Sequence, residues 1–127
     1  MARPINILLV EDNDDEAFLL KTSVRSLAVS VTHVTDATKA ILHLSAEDPL
    51  PDLIVLDLKL PGITSAKFLR WVAGNPIVQK IPICIYTALP VISEEIKKSV
   101  RAAFYKSVNT AEIRTMVQQM CAFVPCQ

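Results

Sequence analysis

Asp52-Leu53-Ile54-Val55-Leu56-Asp57 decides the fold. It is a short apolar run closed by a carboxylate. A strand that is apolar on both faces is covered on both faces, which marks a central parallel strand. Such a strand has no solvent-facing side for a charge. Asp57 therefore belongs at its C-terminal edge, where open α/β sheets bind ligands. Leu58-Lys59-Leu60-Pro61-Gly62 follows, a Pro-Gly turn that stops the strand and opens a loop. On this stretch alone, Asp57 reads equally well as a solvated residue that ends a strand.

The same grammar recurs on either side. Ile5–Val10 reads as a first strand, again ending in acids, Glu11-Asp12. Asn13 caps the helix after it, and Glu16 completes a capping-box pattern. Asp14, Asp15 and Glu16 suit the positive end of that helix, and Ala17, Leu20, Val24 and Leu27 give it an inward face. Val29–Val34 is β-branched and loosely alternating, a second strand. Thr35-Asp36 caps a helix over Ala37–Leu44, and Glu47–Pro51 is a loop into the central strand. Thr64 or Ser65 caps a third helix, with Phe68, Leu69 and Val72 facing in and Gly74-Asn75-Pro76 ending it. Ile81–Tyr86 is a fourth strand with Pro82 at its start, where a missing donor does no harm. Ser93 caps a short fourth helix with Glu94 and Glu95 in its first turn. Phe104-Tyr105 is a very short fifth strand ending at Lys106. Asn109 caps the last helix, with Ile113, Met116, Val117, Met120 and Phe123 at helical spacing.

Five alternations of strand and helix imply right-handed crossovers and helices on both faces of a parallel sheet. The expected fold is α/β: a three-layer α/β/α sandwich around a doubly wound five-stranded parallel sheet.

Composition narrows the function. The chain has 127 residues, enough for one domain with a real core. Thirteen basic and thirteen acidic residues balance, and nothing suggests nucleic-acid binding, which leans on a basic surface. No apolar segment approaches the roughly 18 residues of a membrane span, and the N-terminus lacks a signal-peptide layout, so a cytoplasmic address is expected. Cys84, Cys121 and Cys126 make neither a disulfide framework nor a zinc site. Cys84 reads as a small buried hydrophobe. His33 and His43 have no partner at ligand spacing and read as packing or surface residues. The apolar fraction is 51% and the mean hydropathy +0.37, high for a soluble chain. A buried sheet explains part of this and an apolar partner surface the rest.

Four strand ends carry polar groups: Glu11-Asp12, Asp57, Thr87 and Lys106. In a doubly wound sheet they converge on one crevice. Three clustered carboxylates repel and need a cation, and oxygen ligands in a small open site suit Mg²⁺. Metal, ammonium and hydroxyl together match the needs of a phosphoryl group, whose transfer rests on positioning and charge neutralisation. A carboxylate can itself be the nucleophile, and Asp57 is the candidate.

This ordered set, Glu11-Asp12, Asp57 with Leu60-Pro61-Gly62, Thr87-Ala88 and Lys106, resembles the receiver domain of bacterial two-component response regulators, over Ile5 to about Val124. The run Glu11–Leu20 and the ending Lys106-Ser107 look most like small single-domain regulators beside bacterial phytochrome kinases. The resemblance implies that Asp57 is the phosphoacceptor and a sensor histidine kinase, such as a bacteriophytochrome, the donor. It implies that Asp12 and Asp57 bind Mg²⁺ directly, with the Lys59 carbonyl as a third ligand and Glu11 acting through water. Thr87 and the Ala88 amide receive phosphoryl oxygens and Lys106 pairs with them. Residues 1–127 are then a single receiver without an output domain. It is not an enzyme beyond Mg²⁺-dependent self-dephosphorylation, and its output is a protein contact. The Ile92–Val124 face is the expected homodimer surface.

Three departures stand out. Ser107 follows the lysine where the family usually has a proline in a cis peptide. Ala103 occupies the usual place of the aromatic switch residue, leaving Phe104 and Tyr105 as the switch aromatics. The segment from Thr87 to Lys106 is a few residues short, so the fourth helix must be short or distorted. The competing reading is a degenerate receiver that only binds a partner. A phosphatase of the haloacid-dehalogenase type needs an aspartate where Lys59 stands. A flavodoxin-like binder needs small residues where Glu11–Asp14 is acidic.

Overall fold

The computed structural model describes residues 3–46 and 49–125. Cys126 and part of the Glu47–Pro51 loop lie outside them. Five parallel strands, β1 (Ile5–Val10), β2 (Val29–Val34), β3 (Leu53–Leu56), β4 (Ile83–Thr87) and β5 (Ala102–Tyr105), form one sheet in the order β2-β1-β3-β4-β5. Between and after them run α1 (Asp14–Ser23), α2 (Ala37–Ser45), α3 (Ser65–Ala73), α4 (Glu94–Ser99) and α5 (Thr110–Cys121). β3 is central and all four of its residues are buried, as its two-faced apolar pattern demands. β1 pairs with it in the register Val10↔Leu56, which brings the two acid-bearing ends level.

Strand pleating divides the core in two. Ile7, Leu9, Leu53, Val55, Cys84 and Tyr86 point to one side and pack against Ala17 and Leu20 of α1 and Ile113, Val117 and Met120 of α5. Leu8, Val10, Ile54, Leu56, Ile83 and Ile85 point to the other, against α2, α3 and Ile92 and Ile96 around α4. The helices are placed by their caps. The side chains of Asn13, Asp36, Thr64, Ser93 and Asn109 each accept the backbone N–H three residues on. At the opposite sheet edge from the site, Arg3 grips Asp52 in a two-pronged ion pair at 2.7 Å, which ties the N-terminus to the entry of β3.

Several expected boundaries move. α1 stops at Ser23, so Val24 is its C-cap and Leu27 packs from beyond the helix. Thr64, not Ser65, caps α3. β4 begins at Ile83, because a single 3-10 turn at Val78–Lys80 brings the chain into the sheet and the Pro82 carbonyl is the first β4-side acceptor for β3. β5 runs from Ala102 to Tyr105, longer than Phe104-Tyr105, because Ala102 and Ala103 pair with Cys84 and Ile85. α4 is only six residues, as the short segment requires, and α5 ends before Phe123. Among the described residues no helix is long and apolar enough to cross a membrane.

Candidate functional site

All four polar strand ends meet at the C-terminal edge of the sheet. Glu11 follows β1 and Asp57 follows β3, and both are buried, at 2% and 4% exposure. Thr87 ends β4 and is fully buried. Lys106 follows β5, and its backbone N–H donates to the Thr87 carbonyl at 2.9 Å, the last rung of the ladder. Asp12 is exposed. A cleft of about 200 Å³ opens between Asp12, Asn13, Glu16, Asp57, Lys59, Thr87, Ala88, Leu89 and Lys106. Phe104 and Tyr105 stand outside it. Phe104 packs on the α1/α5 core, and Tyr105 is half exposed.

The Lys106 ammonium is the electrostatic centre. It lies 2.7 Å from Glu11 Oε1 and 2.9 Å from Asp57 Oδ2, and it also pairs with Glu16. Burial by itself favours the neutral amine, but the hydrogen bonds to Glu11, Glu16 and Asp57 outweigh it and hold the proton more firmly than in free lysine. Glu11 shows the opposite balance. Burial pushes its carboxyl up to about 7, against the pull of Lys106 and with the help of neighbouring Asp57. One ammonium therefore leaves this acid pair only partly neutralised.

Carboxylate oxygens of Glu11, Asp12 and Asp57 lie within 4.8 Å of one another. The donor set is all oxygen and open on the Asp12 side, which fits a hard divalent cation that keeps some water. Backbone donors shape the acids. Asn13 N–H donates to Glu11 Oε2 at 3.2 Å, and Lys59 N–H to Asp57 Oδ1 at 3.2 Å. The Thr87 hydroxyl accepts from Leu89 N–H at 3.2 Å, which leaves its own proton free to donate into the cleft.

Four side chains here were not assigned a site role from sequence. Glu16 completes only half of the capping box. Its N–H reaches Asn13 Oδ1, but its carboxylate goes to Lys106 because Glu11 already occupies the Asn13 N–H. Ser65 is buried and donates to the Asp57 carbonyl at 2.9 Å, fixing the loop after β3. His33 donates from Nε2 to the Glu11 carbonyl at 2.6 Å, so it backs the acidic loop from β2. The Tyr86 hydroxyl meets the backbone of Ser107. Only Glu16, three residues past a cap and next to an acid run, carried a local signal.

Residues 7–118 match the family model described as the response regulator receiver domain. The phosphate regulon transcriptional regulatory protein PhoB of Rhizobium meliloti (strain 1021) is 27% identical over 117 residues, which is 90% of this chain and 51% of PhoB. The chain thus spans about half of that relative, and 9% and 18% of two further relatives. Among solved structures, the Mn²⁺-bound response regulator Rcp1 is 26% identical, with a TM-score of 0.77 over 97% of this chain and all of Rcp1. The phosphorylated cyanobacterial phytochrome response regulator RcpA is also 26% identical, with a TM-score of 0.78 over 97% of this chain and 94% of RcpA. With the family model covering most of its length and the acidic crevice formed at the sheet edge, the chain belongs to the response regulator receiver domains, two-component signal transducers that bind a divalent metal in an acidic pocket.

Proposed function

We propose that Asp57 accepts a phosphoryl group from a sensor histidine kinase. The observation that carries this reading is the bridge of the Lys106 ammonium between Glu11 and Asp57, beside three clustered carboxylates and the free Thr87 proton. An Asp57 oxygen attacks phosphorus, the N–P bond of the phosphohistidine breaks, and the imidazole leaves with the bonding pair. The product is an acyl phosphate on Asp57. Lys106, the Thr87 hydroxyl and the Ala88 amide, which line the cleft beside Asp57, take the phosphoryl oxygens. Asp12, Asp57 and the Lys59 carbonyl, with Glu11 acting through water, would hold a Mg²⁺ ion, which would supply the remaining positive charge and assist later hydrolysis of the acyl phosphate by water.

A phytochrome kinase is the favoured donor, on the strength of the likeness to RcpA, itself a phytochrome response regulator. Residues 1–127 act in the cytoplasm as one receiver whose output is a protein contact, including a homodimer through the Ile92–Val124 face. Phe104 and Tyr105, adjoining Lys106, carry the change to that face. Incubation with acetyl phosphate and Mg²⁺ followed by intact mass tests the chemistry. Wild type gains one phosphoryl mass, gains none with a chelator, and Asp57→Asn gains none. Unchanged labelling of Asp57→Asn overturns the assignment, and an unlabelled wild type leaves the degenerate receiver as the better reading.

A further inference from the structure

We propose that the Tyr86 hydroxyl is a positioning residue for Lys106, acting by clamping the peptide groups of Ser107. The β4–β5 ladder pairs Tyr86 with Phe104 and Thr87 with Tyr105, and it ends where Lys106 N–H meets the Thr87 carbonyl. Ser107 lies one residue past that last rung. Tyr86 points to the α1/α5 side of the sheet with its ring buried, at 5% exposure. Its hydroxyl accepts from Ser107 N–H at 3.3 Å and donates to the Ser107 carbonyl at 3.4 Å. Lys106 is therefore held on both sides, by the ladder before its Cα and by the tyrosine after it. Its ammonium must reach Glu11 and Asp57 together. With Lys106 N–H held by the ladder, the hold on Ser107 N–H restrains rotation about the Lys106 N–Cα bond, a rotation that would carry the ammonium off one of them.

The tyrosine and the serine belong together. A proline at position 107 would have no N–H to give the hydroxyl and would fix its own φ instead. Ser107 has a free φ, and the clamp restrains it. Its side chain works in the same sense, with Oγ donating to Glu112 Oε2 at 3.0 Å and accepting from Asn109 N–H at 3.0 Å, which binds the loop to the first turn of α5. This inference rests on the reading of Lys106 as the phosphoryl partner, but the clamp can be measured without it.

Tyr86→Phe removes one oxygen and keeps the buried ring. Two readouts are taken on the full chain: the Lys106 ¹⁵Nζ NMR signal without phosphoryl donor, and the rate of acetyl phosphate labelling at saturating Mg²⁺. The expected result is a Lys106 signal shifted toward that of a solvated lysine and labelling slowed roughly five- to tenfold, the size of one or two lost hydrogen bonds. In a Lys106→Ala background, Tyr86→Phe should add no further slowing, because the hydroxyl acts through the lysine. An unmoved Lys106 signal in Tyr86→Phe overturns the proposal, and so does an equal slowing in the Lys106→Ala background. A moved signal in a protein that takes no phosphoryl group upholds the clamp and overturns the phosphoacceptor reading alone.

Discussion

Glu11 and Asp12 are adjacent in sequence yet meet different physics. Glu11 is buried and already tied to Lys106 and the Asn13 N–H, whereas Asp12 is exposed at the mouth of the cleft with its carboxylate oxygen near those of Glu11 and Asp57. A cation entering from solvent meets Asp12 first and can take an oxygen there without breaking an ion pair. Asp12→Ala should therefore weaken Mg²⁺ binding strongly and Glu11→Ala less. Equal losses in a calorimetric titration would contradict the direct and water-mediated roles given to them. The acids, Thr87 and Lys106 were readable as residues because each ends an apolar run, and a charge after such a run has few places to go. Ser65, His33 and Tyr86 were not. Their partners lie 8, 22 and 21 positions away, and the serine, histidine and tyrosine each sit inside an ordinary helix or strand pattern that explains them without a site role.

At the scale of elements, α3 shows how packing and site are coupled. Its cap, Thr64, accepts Lys67 N–H, its first residue holds the Asp57 carbonyl, and Phe68 in its first turn is fully buried under β1 and β3. Phe68→Ala should cost about 3–5 kcal/mol, read as a lower urea midpoint at unchanged slope, because a close-packed pocket collapses only partly around the lost ring. A loss under about 1 kcal/mol would mean that α3 is not anchored there. Helices were legible because a cap, an apolar period and a stop signal coincide, as in Thr64, Phe68-Leu69-Val72 and Gly74. Strand ends were less so. Ala102 and Ala103 have no strand signature of their own and become strand only by pairing with β4. The start of β4 depends on a 3-10 turn with no apolar period to announce it. The Pro-Gly turn was legible, and within it Gly62 takes a positive φ, +72°, where a side chain would be strained even though no neighbouring atom stands in its way.

For the whole molecule, the high hydropathy raises the question of where the apolar side chains go. Much of the excess is core on the two faces of the sheet, so the sandwich read from alternating strands already accounts for it. What remains exposed includes Phe18, Leu42, Ile77, Leu89, Val91, Tyr105 and Val108, and two of these, Tyr105 and Val108, lie within the Ile92–Val124 face. Tyr105 is 52% exposed and Val108 88%, and they flank Lys106 and Ser107. On the phosphoacceptor reading, a motion of Lys106 toward a phosphoryl group would reach that surface within two residues. A stable dimer buries at least about 1,200 Å² in all, and an aromatic anchor such as Tyr105 is the kind of residue that carries its energy. Burial at about 25 cal/mol per Å² needs no phosphate, so the homodimer should be partly formed before labelling and strengthened by it. Light scattering at micromolar concentration should give a mass above that of the monomer without acetyl phosphate and a higher one with it, and Tyr105→Glu should return the monomer by setting a charge in the apolar contact. A monomer mass under both conditions would remove the dimer, and with it any role for Phe104 and Tyr105 in carrying the signal to a second copy.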